Sequence, residues 1–283
     1  MRILVVLFIV VLALGFSTIS AQQLDNEKPS DTATTWQLLK YDAKSAFQGV
    51  KHSFTRPAHW KKKDFNTLGV LLLGTVALTA IDNDVNTFFA KQESSVPKVI
   101  KDFGWYVGNP QNYFVATAGI YGFGLFTKNE KVRETGVLII ASSFTTGLLQ
   151  SIGKNTIGRA RPTADIGPVA FSPFSKASKH HSFPSGHTVL SITMSHAIAK
   201  QFDNTWTKVG IYTLGSIAPI SRLLDGAHWL TDIAFSTALS IIVVDSIDKF
   251  LFNTKTYNYE KKKKLVSWNF KFNGNQIGVV GAF

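Results

Sequence analysis

Six long apolar segments constrain the fold of this chain more than any other feature of its sequence. Each is longer than an ordinary strand and apolar on most faces, which predicts helices. Several lie near the lower limit of about 17 residues for a membrane span. Their glycine, serine and threonine content suits close helix packing in a membrane or in a buried bundle. We therefore predict an all-α fold with a six-helix core. The segments are Phe65–Ile81, Tyr113–Thr127, Glu134–Ile152, His187–Gln201, Trp206–Leu224 and Thr231–Phe252.

The regions on either side of this core have a different character. Arg2 followed by an apolar stretch and small residues is typical of a signal peptide, with a membrane anchor as the alternative. Trp36, Leu39, Ala43 and Phe47 have the spacing of an amphipathic helix lying on a surface. The predicted divisions are 1–21, a signal peptide; 22–64, an amphipathic N-terminal arm; 65–252, the helical domain; and 253–283, a basic linker and a C-terminal β-hairpin.

Composition excludes several classes of site. The chain has no cysteine, so disulfides, thiolate metal sites and cysteine nucleophiles are impossible. Its formal net charge is +12, while only 17% of its residues are charged. The lysines lie in short clusters beside apolar segments, and this arrangement fits poorly with nucleic-acid binding. Anionic lipid headgroups or a phosphate substrate explain the charge better.

Three cations lie at the ends of apolar segments, where each needs an anionic partner or water. Lys154 and Arg161 follow the third segment, and Arg222 lies near the end of the fifth. The planar fork of arginine matches two phosphate oxygens, and lysine adds a mobile point charge. Together these residues are suited to neutralising a phosphoryl group.

A second cluster begins the fourth segment. Ser185 is a favoured helix N-cap, and Gly186 lets the backbone approach a ligand closely. The free N–H groups of a helix N-terminus favour an anion, and His187 projects from the first turn toward the same place. This cluster predicts a phosphate site with a histidine beside it.

The third cluster contains a histidine and a carboxylate. His228 and Asp232 are four residues apart, so they would share one face of a helix. The carboxylate would accept one imidazole N–H and leave the other nitrogen free to attack. His187 would then act as the general acid for the leaving oxygen.

These clusters resemble, in order and spacing, the three motifs of the PAP2 superfamily, which includes type-2 phosphatidic acid phosphatases, bacterial acid phosphatases and vanadium haloperoxidases. The pattern is Lys-x6-Arg-Pro, Pro-Ser-Gly-His and Ser-Arg-x5-His-x3-Asp, and the likeness extends over about residues 65–252. The matching residues are Lys154, Arg161, Pro162, Pro184, Ser185, Gly186, His187, Ser221, Arg222, His228 and Asp232.

The resemblance implies a PAP2-type bundle and a phosphatase reaction through a phosphohistidine. His228 would attack phosphorus, His187 would protonate the leaving group, and Asp232 would orient His228. No metal or other cofactor is implied, and vanadate would bind as a phosphate mimic. The phosphoryl oxygens would be bound by Lys154, Arg161, Ser185, Gly186 and Arg222.

Five other polar residues receive structural interpretations. His180 and His181 are interpreted as solvated loop residues that would at most rim the pocket. His196 lies within a helix and is interpreted as a hydrogen-bonded core residue. Asp82 and Asp84 follow the first apolar segment and are predicted to cap or solvate its end.

The expected substrate is a phosphorylated lipid such as phosphatidic acid, phosphatidylglycerol phosphate, undecaprenyl pyrophosphate or lipid A. The alternatives are a broad-specificity periplasmic acid phosphatase, a vanadium haloperoxidase and a non-catalytic lipid-binding protein. The positive-inside rule would direct the site outward if all six helices span, whereas a cleaved signal peptide would place residue 22 outside. Both interpretations allow an exported, membrane-associated envelope protein with a periplasmic site; the number of spans and the oligomeric state stay open.

Overall fold

The computed structural model describes residues 33–252 and the backbone of two short strands. Residues 33–252 form a helical bundle, and each of the six apolar segments lies largely within a helix. The predicted signal peptide and the basic run at 261–264 lie outside the described residues. The helices are α1 (Thr35–Thr55), α2 (Lys62–Leu78), α3 (Asp82–Gln92), α4 (Lys98–Gly108), α5 (Pro110–Phe126), α6 (Glu130–Ile157), α7 (Gly186–Ala199), α8 (Thr205–Leu224) and α9 (Leu230–Phe252).

Two helices, α3 and α4, are missing from the sequence prediction, so the predicted count of six is too low for the described region. Both are short and mix polar with apolar residues, and they therefore lack the long apolar run that identified the others. The strands are β1 (Ser267–Asn273) and β2 (Gln276–Ala282), which pair antiparallel.

Helix α6 lies at the centre of the bundle and packs against α1, α5, α7 and α9. Val137, Leu138 and Ile139 of α6 are almost completely buried, together with Val244 and Ile247 of α9. Burial of such side chains contributes roughly 1.5–3 kcal/mol each. This apolar contact between α6 and α9 forms the main core.

Small polar residues let neighbouring helices approach α6 closely. Ser142, Thr145 and Thr146 are fully or almost fully buried. The hydroxyls of Thr145 and Thr146 donate to the carbonyls of Ala141 and Ser142, at 2.9 and 2.8 Å. Because their donors are satisfied within the helix, the two threonine side chains are buried without an unpaired hydroxyl proton.

Helix α1 forms where the sequence predicts a helix, but it packs through a different face. Trp36 and Phe47, which belong to the predicted apolar face, are 62% and 68% exposed. The buried face instead carries Tyr41 and Asp42, and the Asp42 carboxylate pairs with the Arg133 guanidinium of α6 at 2.9 Å. This buried ion pair decides which face of α1 packs on α6. The apolar periodicity of the sequence does not reveal such a pair.

Three helical stretches are long and apolar enough to cross a membrane, judged by length and composition. They are Lys62–Ser95, Glu130–Ile157 and Leu230–Phe252. The most apolar part of the first is not buried at all within the protein, and Val70 and Leu73 of α2 are 72% and 73% exposed. An apolar surface of this kind indicates a membrane-associated protein.

Gly158 ends α6 and turns the chain into the segment that carries two arginines. Its φ of 60° is left-handed, and a Cβ at this position would lie 1.9 Å from the carbonyl oxygen of Ser172. Glycine is the residue that adopts this conformation without strain. The turn brings Arg159 and Arg161 back across the end of the bundle, where the site lies.

Candidate active site

Four helix ends meet at one end of the bundle and hold all the predicted site residues. Helix α6 ends at Ile157 and α8 ends at Leu224, while α7 begins at Gly186 and α9 begins at Leu230. The segments that connect these ends, 158–185 and 225–229, cover the same end of the bundle. The three motifs, distant in sequence, therefore form one cluster.

His187 lies in a buried and positively charged environment. Its pKa is lowered to about 4, first by burial and then by the charges of Arg222, His228, Lys154 and Arg161. Its Nε2 atom is buried and has no hydrogen-bond partner among residues 33–252. A concentration of positive charge around an unsatisfied imidazole nitrogen is a site prepared for an anion.

Two of the cations are fixed by backbone carbonyls. The Arg161 guanidinium donates to the carbonyls of Ser178, Ala227 and His181 at 3.1, 2.8 and 3.2 Å. The Lys154 ammonium donates to the same His181 carbonyl at 2.6 Å. Arginine has five N–H donors and lysine has three, so both keep donors for a ligand.

Arg222 is held differently, because its partner is a carboxylate. Its guanidinium pairs with Asp225 at 2.7 Å and contacts the Ser221 hydroxyl at 3.3 Å. The Arg222 side chain is 9% exposed and Asp225 is 37% exposed, so this pair lies at the rim of the cluster.

The second motif is present at the start of α7, with one difference from expectation. Ser185 occupies the N-cap position, but its side chain makes no capping hydrogen bond. Its hydroxyl accepts from the Thr188 hydroxyl at 2.9 Å, while its N–H donates to the Ser236 hydroxyl at 2.8 Å. The hydroxyl proton of Ser185 is therefore available to a ligand at Gly186.

His228 and Asp232 are brought together, although not on one helical face as predicted. Helix α9 begins at Leu230, so His228 lies in the preceding loop. The Nδ1 atom of His228 is 3.6 Å from the Asp232 carboxylate, which is longer than a hydrogen bond. Burial lowers the pKa of His228 to about 4, and Asp232 opposes this shift. His228 is therefore neutral near pH 7, as a nucleophile must be.

The Asp232 carboxylate is locked by several donors at once. One oxygen accepts from the Ser182 hydroxyl at 2.5 Å and the Trp229 N–H at 2.9 Å, and it is also the oxygen that faces His228. The other oxygen accepts from the Arg159 guanidinium at 2.5 Å. These contacts leave the carboxylate little freedom to rotate.

Arg159 and Asp82 form a layer behind Asp232 that the sequence prediction misses. The guanidinium of Arg159 bridges Asp232 and Asp82, with 2.6 Å to the latter, and all three side chains are buried. Asp82 also accepts from the N–H and hydroxyl of Thr231, at 3.0 and 2.7 Å. The interpretation of Asp82 as a solvated helix cap is therefore wrong. The sequence signal for this role was weak: Arg159 lies between Lys154 and Arg161 of the first motif.

The remaining histidines agree in part with their interpretation. His196 hydrogen-bonds to the Tyr212 hydroxyl at 2.6 Å and to Asp245 at 3.0 Å, which confirms a structural role within the bundle. His181 contributes its backbone carbonyl to the site, and its ring contacts the Ser175 carbonyl at 2.7 Å. It is thus a scaffold for the cations and more than a solvated loop residue.

Within the part of the chain that the structure describes, no group of three or more histidine and carboxylate side chains is arranged to hold a metal ion. The prediction of a reaction without metal stays a prediction. The arrangement itself can bind a tetrahedral anion, present a neutral imidazole to it, and supply a second imidazole for proton transfer.

Comparison with known proteins agrees with this geometry. Among curated proteins, the chain is similar to a lipid A 1-phosphatase of Porphyromonas gingivalis, with 26% identity over 159 residues, covering 53% of this chain and 32% of that protein. It is also similar to lipid A 1-phosphatases of Rhizobium johnstonii and Rhizobium etli, with 33% and 32% identity over 104 residues. These alignments cover 36% of this chain and 42% and 44% of the two relatives.

The chain thus matches less than half the length of these curated relatives. No solved structure matches it significantly. A sequence model of the PAP2 superfamily matches residues 135–253, a stretch that contains all three motifs and the four helices that bring them together. Residues 135–253 of this chain are therefore similar to the PAP2 superfamily.

Proposed function

We propose that this protein is a lipid phosphate phosphatase that acts through a phosphohistidine on His228, with residues 65–252 as its catalytic domain. The observation that carries the proposal is that Lys154 and Arg161 donate to one carbonyl, that of His181. Arg161 also donates to the carbonyl of Ala227, the residue before His228. The lipid A 1-phosphatases among its relatives and the exposed apolar α2 favour a phosphorylated membrane lipid over a soluble ester.

In the first step, the Nε2 atom of His228 attacks phosphorus while the bond from phosphorus to the leaving oxygen breaks. Lys154, Arg161 and Arg222 balance the charge on the three phosphoryl oxygens. His187, which takes up a proton when the bound phosphoryl group offsets the surrounding cations, donates its Nε2 proton to the leaving oxygen, and the dephosphorylated lipid departs. The imidazole of His228 is then positively charged, and the contact between its Nδ1–H and Asp232 becomes a charge-assisted hydrogen bond.

In the second step, water attacks the phosphorus and transfers a proton to His187. The bond between phosphorus and Nε2 of His228 breaks, and inorganic phosphate is released. His228 returns to its neutral form and His187 to its protonated form, so both residues are ready for the next substrate. The two steps use the same groups in reverse roles, as general acid–base catalysis requires.

The proposal includes a location. We place the protein in the bacterial envelope, membrane-associated, with the site on the periplasmic side. The site end of the bundle lies where α2 also ends, so a lipid phosphate at a membrane surface is within reach of the cations. Accessibility of an engineered cysteine at exposed Asp84 or Ser95 to a membrane-impermeant thiol reagent in intact cells tests this placement, because the chain has no natural cysteine.

The function is tested by phosphate release from purified protein in detergent. The panel contains phosphatidic acid, phosphatidylglycerol phosphate, undecaprenyl pyrophosphate, a lipid A 1-phosphate and p-nitrophenyl phosphate, and His228→Ala protein purified in the same way serves as the blank. We expect release from at least one lipid substrate, inhibited competitively by orthovanadate. Equal rates for wild type and blank would show a contaminating enzyme and refute the proposal.

Anion binding is expected to be accompanied by proton uptake at pH 5.5. The pKa of His187 is about 4, because the side chain is buried and surrounded by cations, so it is almost entirely neutral at this pH. A bound anion offsets those cations and raises the pKa, and a proton is taken up when the pKa passes the pH. Sulfate is a suitable probe because its own protonation does not change near pH 5.5.

Titration calorimetry in buffers of different ionisation enthalpy measures this uptake. Wild type is expected to take up a substantial fraction of one proton per sulfate. His187→Asn is expected to take up no more than half of the wild-type amount. The remaining uptake belongs to His228, whose pKa is also about 4. Sulfate binding without proton uptake in the wild type would contradict the assignment of His187 as the general acid.

A further inference from the structure

The last two turns of α6 lie against the segment that leads into α7, and two contacts fix how they are aligned. The Lys154 ammonium donates to the carbonyl of His181 at 2.6 Å. A Cβ on Gly153 would lie 2.7 Å from Cδ of Pro184, so the backbone of α6 approaches the proline ring closely. Residues three and four apart share one face of a helix. The residue one turn before Lys154 is therefore placed beside the start of α7.

That residue is Gln150, and its side chain lies in front of Gly186, the first residue of α7. A Cβ on Gly186 would lie 3.3 Å from Nε2 and 3.8 Å from Cδ of Gln150. Apart from the chain neighbours of Gly186, no other described side chain comes within 4 Å of that position. The amide of Gln150 and the backbone of Gly186 thus border the same space.

The amide of Gln150 is not used by the protein. Neither its nitrogen nor its oxygen has a hydrogen-bond partner within residues 33–252. The amide nitrogen carries two donors. The first N–H groups of α7 also lack a partner within the helix, as at any helix N-terminus. Two sets of unpaired donors therefore meet at Gly186, and an anion there would supply the acceptor that both lack.

These donors are close enough to bind the same oxygen. A Cβ is about 2.5 Å from the nitrogen of its own residue, so Nε2 of Gln150 is no more than about 5.8 Å from the N–H nitrogen of Gly186. Two nitrogens within that separation can each donate to one oxygen at about 2.9 Å. A phosphoryl oxygen bound at Gly186 is thus within reach of Gln150.

The position of Gln150 in its helix also favours a ligand. Helix α6 is long and apolar enough to cross a membrane, and Leu149 directly precedes the glutamine. A polar side chain in such a segment is unfavourable when it has no partner. Because Gln150 lies four residues before Lys154, it stands outside the three motifs that the sequence reveals.

We infer that Gln150 is a phosphoryl-binding residue, which donates from Nε2 to the oxygen that also accepts the N–H of Gly186. The inference rests on the proposed function and adds a neutral donor to its three cations. The oxygen concerned stays charged in the bound substrate and in the transition state, so the donor stabilises both. Loss of the donor is therefore expected to raise KM more than it lowers kcat.

The test is sulfate binding to the full-length protein in detergent at pH 7, measured by titration calorimetry. Gln150→Met keeps the length of the side chain but has no donor. Its affinity is expected to fall about tenfold, the scale of one hydrogen bond to a charged group. Gln150→Glu keeps the shape but replaces the donor with a negative charge, so its affinity should fall further. In phosphate release, the KM of Gln150→Met should rise about tenfold while kcat changes less than about threefold.

Gln201→Glu is the matched control. It makes the same change of charge just beyond the other end of α7, about 20 Å along the helix from Gly186. It is expected to bind sulfate as wild type does. Thermal unfolding without sulfate should be the same for Gln150→Met and wild type, because the amide loses no partner among the described residues.

Sulfate affinity of Gln150→Met within about twofold of wild type would overturn the inference, and so would an unchanged affinity of Gln150→Glu. A fall in affinity together with a lower unfolding temperature of the sulfate-free Gln150→Met protein would show a packing defect and would also overturn it. Wild type that binds sulfate but releases no phosphate from any substrate would refute the proposed function alone.

Discussion

Replacing His228 with alanine is expected to lower phosphate release by a factor on the order of 10⁴ or more, the scale seen when a nucleophile is removed. The imidazole is the only neutral nucleophile that the proposed reaction places at phosphorus, and no neighbouring serine is activated by a base among the described contacts of residues 33–252. Phosphate release from the preferred lipid measures the effect.

The fold is expected to survive this substitution. The Nδ1 atom of His228 has no hydrogen-bond partner within residues 33–252, so no hydrogen bond to it is lost. Asp232 keeps Ser182, the Trp229 N–H and Arg159 as donors, and its carboxylate is not left unsatisfied. Unchanged helical circular dichroism and continued vanadate binding would show that the loss is chemical.

His196→Gln is the matched control. His196 is another largely buried histidine of the same bundle, about 13 Å along α7 from His187 and bonded to Tyr212 and Asp245. It is expected to keep phosphate release close to that of wild type. Radiolabelled substrate quenched in base should leave an acid-labile label on wild type and none on His228→Ala. A base-stable label on the alanine variant would contradict the phosphohistidine assignment.

The sequence predicted which residues lie together at one end of the bundle, because each of the three motifs is a short local pattern. Each motif lies at or beside a helix end, and in this bundle those ends lie together. The residues around His187 were identifiable from their chemistry at helix ends and from the resemblance to the PAP2 motifs. The helices themselves were identifiable where their apolar run was long, as in α6 and α9.

The layer behind the site was not predictable in the same way. Asp82 lies in α3, a short polar helix, and reaches Arg159 and Thr231 only through tertiary packing. A carboxylate beside an apolar helix has the same sequence appearance whether it is solvated or buried. The packing face of α1 shows the same limit, because the buried pair of Asp42 and Arg133 overrides the apolar positions.

Asp82→Asn and Arg159→Met are expected to move the acid limb of the pH profile in opposite directions. Arg159 shares its charge between Asp82 and Asp232. Without the Asp82 charge, Arg159 acts on Asp232 alone, so Asp232 supports the protonated form of His228 less. The pKa of His228 falls, and the acid limb of kcat/KM moves to lower pH.

Arg159→Met is expected to shift the pKa of His228 in the opposite direction. The cation that offsets Asp232 is gone, so the carboxylate stabilises protonated His228 more strongly and raises its pKa. The acid limb of kcat/KM then moves to higher pH. Both variants are expected to lower kcat by roughly 10–100-fold, because the carboxylate that orients His228 is less firmly held.

The free energy of unfolding is also expected to fall, and it should fall further in Arg159→Met than in Asp82→Asn. Arg159→Met leaves two buried carboxylates without their shared cation, and breaking a buried pair costs about 3–5 kcal/mol. Asp82→Asn keeps an oxygen for the Thr231 N–H and is expected to cost less. The double variant removes one charge of each sign, so it should be more stable than Arg159→Met alone, as thermal unfolding in detergent would show.

The direction of the two pH shifts separates a positioning role from a merely structural one. A structural defect would lower the amount of folded enzyme and the apparent kcat, and it would leave both acid limbs where wild type has them. Opposite shifts require that the charge of Arg159 be transmitted through Asp232 to His228. Arg159→Lys keeps the charge but has no planar fork to contact both carboxylates, so it should restore the position of the acid limb and only part of kcat. If the lysine variant shifts the limb as far as methionine does, charge transmission through Asp232 is refuted.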